Sequence, residues 1–327
     1  MQKQSLKYEA LLLLMSILWG STFVAQQIGM AKGIGPLTFN GLRFALGCVS
    51  LLPVIHWRSR HVSRSPEDRH LPVAGSLLAG LFLFAAANFQ QVGLLHTSSA
   101  NAGFITSLYI VFVPVLGLLF KHRAPRSLWA GIAVCVIGLY LLSMTDGFRI
   151  GLGDGLVLVC ALLWAGQILV VGHVATKGDP IKIALLQFVV CAGLSTLAAL
   201  FFEPWSVKAL LAGSGAMAYA GILSVGVAFT LQVVCQKRCP PGPAAVIMSL
   251  EAVFAALAGY LVLRQTLSIR ALTGCALILC GVLIVQLTPL LRRRAMVPGK
   301  YPQPTAAPPQ GEIPKDPSTQ RVPKSKT

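Results

Sequence analysis

Apolar residues in this chain come in long runs, and the polar and charged residues gather in the short stretches between them. A bilayer core of about 30 Å takes about 20 apolar residues per helix. Ten segments meet that length: 10–30, 36–56, 73–95, 99–120, 127–145, 154–174, 181–202, 213–236, 242–264 and 268–290. The breaks carry glycine, proline and charge, as helix ends do. Gly33-Ile34-Gly35-Pro36, Gly178-Asp179-Pro180 and Pro240-Pro241-Gly242-Pro243 are examples. The turns from Leu95 to Ser99 and from Arg264 to Ser268 are so short that the helices they join must be antiparallel neighbours. Segments 73–95 and 99–120 together are too long for one span, and Thr97-Ser98-Ser99 supplies the break.

Composition agrees with a polytopic helical membrane protein. Only 11% of the 327 residues are charged and 55% are hydrophobic, where a soluble domain carries about 25% charge. A mean hydropathy of +0.73 excludes a soluble enzyme, a disordered chain and a secreted disulfide scaffold. The formal charge of +17 comes from 27 Lys and Arg against 10 Asp and Glu. These basic residues sit between apolar runs rather than on a polar surface, so they do not indicate a nucleic-acid partner. They give an orientation instead. With the N-terminus in the cytoplasm, sixteen basic residues fall on the inner side. Five fall on the outer side: Lys32, Arg149, Lys208, Arg264 and Arg270. This bias places both termini inside. Residues 1–9 then form a short cytoplasmic N-terminus ahead of a retained first span. Residues 295–327, rich in Pro, Lys, Gln, Ser and Thr, read as a disordered cytoplasmic tail. Six of the eight cysteines lie inside apolar runs, where Cys behaves as a small hydrophobe.

The two halves of the membrane region, 10–145 and 154–290, repeat each other at a nearly constant offset. Leu18-Trp19 matches Leu163-Trp164, and Pro36 matches Pro180. Arg43-Phe44 aligns with Gln187-Phe188, and Gln90 with Gln232. Ser107-Leu108 matches Ser249-Leu250, and Tyr109 occupies the repeat position of Glu251. Gly131 and Gly138 match Gly274 and Gly281. Five helices per half is an odd number, so the second half enters the membrane from the opposite side. The fold expected is all-α, with ten transmembrane helices as two inverted five-helix repeats. Such repeats are a structural basis for alternating access around a site near the midplane.

The same residues resemble the drug/metabolite transporter superfamily, in its EamA branch. The resemblance rests on Leu18-Trp19-Gly20-Ser21-Thr22-Phe23, on Arg43-Phe44, on the run from Ser249 to Ala256, and on Gly274 to Gly281. It covers about residues 10–290. It implies a transporter of small organic metabolites, amino-acid-like or related compounds, and favours export from a bacterial-type plasma membrane. One departure stands out: where members of the branch often carry Gly-Glu after the ninth helix, this chain has Arg264-Gln265. A carboxylate role there does not carry over.

Two full charges fall well inside the apolar spans, Arg43 and Glu251. At 1.5 Å per residue, Arg43 lies about 10 Å from the outer end of the second helix, and Glu251 about 13 Å from the cytoplasmic end of the ninth. A charge at that depth costs about 2.5–3.5 kcal/mol on an insertion scale, so such residues normally face a cavity or a partner. Arg43 suits a substrate carboxylate, and Glu251 a substrate amine or a coupling proton; a structural ion pair or helix lock is the alternative for each. The amides Asn88, Gln90, Gln91, Gln167, Gln187 and Gln232 follow as substrate contacts or as inter-helix hydrogen bonds, with Asn88 and Gln91 the preferred pair in the third helix. Asn88 and Gln91, three apart, share a helix face. Tyr109 enters through its repeat position, and Trp19 and Trp164 as a cavity wall. The glycine pairs mark close packing of the fifth and tenth helices, with a homodimer seam as a second use. No cofactor or metal motif and no catalytic constellation is present, so an enzyme is not expected. A membrane-embedded scaffold is the alternative from another class. The partners expected are a small-molecule substrate and the lipid bilayer.

Overall fold

The computed structural model describes residues 2–61, 71–97, 99–119, 124–143, 151–264 and 268–295, the backbone alone at 2–6, 99–101, 143 and 289–295. The expected C-terminal tail and the Gln265 position lie outside the described residues. Among the described residues ten long helices follow one another: α1 Gln2–Ala31, α2 Pro36–His61, α3 Val73–Gly93, α4 Ser99–Leu119, α5 Arg126–Ser143, α6 Leu152–Val174, α7 Pro180–Phe202, α8 Ser214–Gln236, α9 Pro241–Leu263 and α10 Ile269–Ala295. Nine of them hold apolar stretches of 18 residues or more, and the apolar part of α5, Arg126–Leu142, is shorter. Helices pair the interior of their own backbone, which a lipid environment requires. A short helix, Val207–Ala212, precedes α8.

Local chemistry sets the helix starts. Asp179 accepts a hydrogen bond from the Ile181 amide at 3.0 Å, with Pro180 in the first turn of α7. Ser268 Oγ accepts from Ala271 N at 3.1 Å at the start of α10. The start of α2 is capped from a distance: Glu203, just past the end of α7, accepts from Leu37 N, Thr38 N and Thr38 Oγ1, each at 2.8 Å. A carboxylate at a helix N-terminus is favoured by the macrodipole and by the free amides there. We expect Glu203→Ala to lower stability by roughly 1–2 kcal/mol, read as the unfolding free energy in detergent. No change would mean that water replaces the cap at no cost. At the end of α9, Arg264 adopts a left-handed conformation, φ 55°, and its amide closes on Gly259 O. That is a conformation glycine adopts without penalty.

The packing repeats as the sequence does. α1 lies against α9 and α6 against α4; α3 packs on α6 and α8 on α1; α3 meets α7 and α8 meets α2. Exchanging the two halves maps these pairings onto themselves. The repeat-equivalent helices α2 and α7 pair with each other, and the contacts at their ends show that they run antiparallel. Glu203 at the end of α7 caps the start of α2, while Arg58 near the end of α2 meets Asp179 at the start of α7 at 3.1 Å. The pair α5 and α10 is antiparallel too. A Cβ on Gly131 would lie 2.7 Å from Gly281 O, and one on Gly138 would lie 2.6 Å from Gly274 O. Antiparallel contact between equivalent helices is the geometry of an inverted repeat. This glycine seam is filled inside the chain, because bare helix backbones meet there. The feature that suggested a homodimer therefore lends no support to one.

Three helices depart from regular geometry. α4 is interrupted at Leu108 and α9 at Ser249–Leu250. At these repeat-equivalent points the turn tightens in the same way: Leu108 N bonds to Ile105 O and Leu250 N to Ile247 O, both at 3.1 Å. In α8, residues Tyr219–Phe229 are π-helical, a form that occurs frequently at functional sites.

Candidate functional site

The two interrupted helices bring Tyr109 and Glu251 to the first position after each break. Both face a small cavity between the two halves, with room for about 30 Å³. α1 lines it with Trp19, Thr22, Phe23 and Gln26, α2 with Arg43, α3 with Gln90 and α4 with Thr106 as well as Tyr109. From the second half, Trp164 and Ile168 of α6, Ser224 and Phe229 of α8, and Glu251 of α9 complete the lining. These positions lie at the middle of the bundle and toward the end away from the N-terminus. α1 can approach the break in α9 only because residue 20 is glycine. A Cβ there would come within 2.5 Å of Glu251 O and 2.6 Å of Phe254 Cβ.

The aromatic part of the wall joins the halves. Trp19 and Trp164, equivalent in the repeat, have ring centroids 5.9 Å apart. Phe229 packs on both, at 4.5 and 5.5 Å. Phe44 and its repeat partner Phe188 meet at 6.1 Å. Equivalent residues that touch each other must lie on the pseudo-twofold axis, so the cavity straddles that axis. Toward the N-terminal end the bundle is closed. Leu12, Met15 and Met248 are fully buried there, and Ser16 Oγ donates to Ile247 O at 3.0 Å.

The polar lining is short of partners. Of the twelve buried side-chain atoms without a hydrogen bond among the described residues, six belong to this wall. They are Trp19 Nε1, Gln26 Oε1, Arg43 Nε, Tyr109 OH, Trp164 Nε1 and Glu251 Oε1. Arg43 is 2% exposed and Glu251 4%, and neither forms an ion pair with a described residue. The Arg43 guanidinium carbon instead sits 5.1 Å from the Phe44 ring centroid and 6.0 Å from that of Phe39. Cation–π contact returns roughly 0.5–2 kcal/mol, less than the cost of burying an unpaired charge at this depth. Buried polar groups are paired in nearly all proteins. Tyr109 and Glu251 lie close enough to interact with each other, and the other unbonded groups mark a place that receives water or other hydrogen-bonding matter from outside the chain. The set offers a fork of N–H donors at Arg43, indole donors at the two tryptophans, and an acceptor at Glu251.

The residues marked in the sequence separate into two groups. Arg43, Tyr109, Glu251, Trp19 and Trp164 line the cavity together. Asn88, Gln91, Gln167 and Gln187 do not. Asn88 accepts from Asn40 Nδ2 at 2.9 Å and donates to Ser195 Oγ at 2.8 Å, tying α2, α3 and α7 together. Gln91 is fully buried beside it in sequence but outside the cavity. Gln167 and Gln187 hydrogen-bond each other at 3.0 Å. The α3 amide that does reach the cavity is Gln90, whose Nε2 donates to Thr106 Oγ1 at 3.1 Å. Its pairing with Gln232 in the repeat was the available signal. Thr22 lay in the first-helix stretch that carried the resemblance, while Ser224 and Phe229 carried no signal, being ordinary residues of apolar spans.

The EamA-like transporter family matches residues 6–144 and again residues 151–287. The chain belongs to this family. An uncharacterized transporter of Archaeoglobus fulgidus is 32% identical over 282 residues, 84% of each chain. The threonine/homoserine exporter RhtA of Salmonella typhimurium is 26% identical over 76% of this chain and 83% of its own. The inner membrane transporter YedA of Escherichia coli is 28% identical over 46% of this chain and 48% of its own. A solved crystal structure superposes with a TM-score of 0.70 over 89% of this chain and 99% of that one, at 23% identity, and so shares the fold. This EamA-like protein is thus an all-helical, multi-pass membrane transporter and not an enzyme. Its two family matches coincide with the two structural halves.

Proposed function

We propose that this EamA-like transporter is a secondary transporter that moves small, amino-acid-like metabolites across the plasma membrane by alternating access, in the direction of export. The observation that carries the reading is the pair Arg43 and Glu251, buried on the wall of one cavity between two inverted halves, neither in an ion pair with a described residue. Arg43 takes the substrate carboxylate. Glu251, with the Tyr109 hydroxyl, takes the amine or a coupling proton, and Trp19 and Trp164 form the apolar wall. In this conformation the cavity has room for about 30 Å³, against roughly 300–1,000 Å³ for small-ligand sites, so a substrate is accommodated only as the halves part. The name of the RhtA relative supports an amino-acid-like substrate and export. The excess of basic residues at the N-terminal end supports a cytoplasmic N-terminus, and the YedA relative an inner-membrane location.

Metabolite release from cells with and without the protein tests the substrate class. An amino-acid-like compound should accumulate outside only the expressing cells, and an unchanged extracellular profile would overturn the reading. Glu251→Gln separates its two roles. We expect transport by this variant to lose its dependence on pH; a dependence equal to that of the wild type would remove the proton role.

A further inference from the structure

The cavity has a counterpart that it does not resemble. Applying the repeat offsets, Thr22, Arg43 and Gln90 correspond to Gln167, Gln187 and Gln232. The first three line the cavity, in the part of the bundle away from the N-terminus. The second three are at most 1% exposed and lie toward the N-terminal end. There they bond to one another: Gln167 Nε2 donates to Gln187 Oε1 at 3.0 Å and to Gln232 Oε1 at 3.4 Å. Gln232 Nε2 donates back to Gln167 Oε1 at 2.9 Å. Gln187 Nε2 has only a long bond, 3.4 Å, to Ile183 O. The same three positions thus line the cavity and include one charge in the first half, and bond to one another without charge in the second.

We propose that Gln167, Gln187 and Gln232 are a second, uncharged substrate subsite, folded onto itself here, which opens toward the N-terminal face when the two halves exchange shapes. Inverted repeats make each half a template for the other's second shape. The axis passes through the touching pairs Trp19–Trp164 and Phe44–Phe188, so the exchange moves the cavity from the Arg43 side to the Gln187 side. The latch suits repeated opening. Hydrogen bonds between membrane helices are worth only about 0.6–2 kcal/mol each, and a carboxamide cluster can trade its internal bonds for bonds to a ligand's carboxylate or hydroxyl. It releases a carboxylate more readily than a guanidinium would, because the amide donors add no opposite charge to hold it. The site is therefore polarised: anion-retaining when open away from the N-terminus, neutral when open toward it.

This inference rests on the alternating-access reading, and its test keeps the two apart. In a protein whose eight native cysteines are replaced, and which remains monodisperse in detergent, single cysteines are placed at three positions. A membrane-impermeant methanethiosulfonate is then applied to either side of sealed vesicles. Ser224→Cys should react only from the face opposite the N-terminus. Ile168→Cys, whose repeat partner Phe23 also lines the cavity, should react from each face. Gln232→Cys should react only from the N-terminal face, with Gln187→Cys as the replacement if it fails to fold. Labelling of Ile168→Cys from both faces, with Gln232→Cys and Gln187→Cys silent, leaves alternating access standing and overturns the second subsite. Labelling of Ile168→Cys from one face alone overturns both.

Discussion

Arg43→Gln is expected to abolish or severely weaken transport in a protein that is still folded and at least as stable as the wild type. The two halves of this expectation have separate physical origins. Arg43 is buried without an ion-pair partner among the described residues, resting on the rings of Phe44 and Phe39. Its charge costs about 2.5–3.5 kcal/mol on the insertion scale, and the rings return roughly 0.5–2. A neutral glutamine, the residue that the second repeat itself carries at this position, removes both terms and gives a net effect near zero or slightly stabilising. Substrate binding behaves otherwise. A hydrogen bond to a charged group is worth about 1.5–3 kcal/mol, so affinity should fall roughly ten- to hundred-fold. Arg43→Lys should recover part of it, since a point charge remains while the planar fork is lost. The readouts are initial transport rate against substrate concentration and thermal midpoint in detergent. A large fall in midpoint with unchanged transport would assign Arg43 to structure and sink its role as a ligand for substrate.

Gly138→Ala is expected to destabilise the fold by roughly 1–3 kcal/mol, the largest stability effect among the substitutions considered. The added methyl would meet Gly274 O at 2.6 Å and Ile278 N at 2.8 Å. Both are backbone atoms, so no rotamer change can make room and α5 must move away from α10. Gly274→Ala faces the mirror image of the same clash, with Gly138 O at 2.5 Å and Leu142 N at 2.6 Å. The double substitution should cost less than the two single effects added, because the first already opens the seam that the second needs. Gly193 is the control: a Cβ there meets nothing within 4 Å. Gly193→Ala should be neutral or stabilising by about 0.4–1 kcal/mol. Equal unfolding free energies for Gly138→Ala and Gly193→Ala would dismiss the close-packed seam.

Much of the architecture is legible in the order of the residues. A run of about 20 apolar residues has few alternatives to a membrane helix. Turn residues and charge mark the helix ends to within a few residues; α3 ends at Gly93 where the apolar run extends to 95. The repeat stands out because ordered matches over five helices do not arise from apolar composition alone. Arg43 and Glu251 stand out for an energetic reason, since a charge within an apolar span needs a cavity or a partner. The repeat then leads to Tyr109 and Trp164 through Glu251 and Trp19.

What the residue order does not carry is which way each helix faces. In a soluble helix the apolar stripe points to the core and the polar face to water. Here lipid and core are both apolar, so that contrast is missing, and a lone amide in a span carries no sign of its azimuth. Asn88 and Gln91 share a helix face, but the face that meets the cavity belongs to Gln90, a rotation that only the packing of α3 on α6 and α7 decided. In the same way Gln167, Gln187 and Gln232 close on one another while their repeat partners open. The sequence by itself determined the spans, the inverted halves, the family and the charged pair, because lipid leaves few options for backbone and charge. The tertiary structure alone decided which polar groups meet a ligand and which meet each other, because that depends on helix rotation, on two tightened turns and on the π-helical stretch of α8.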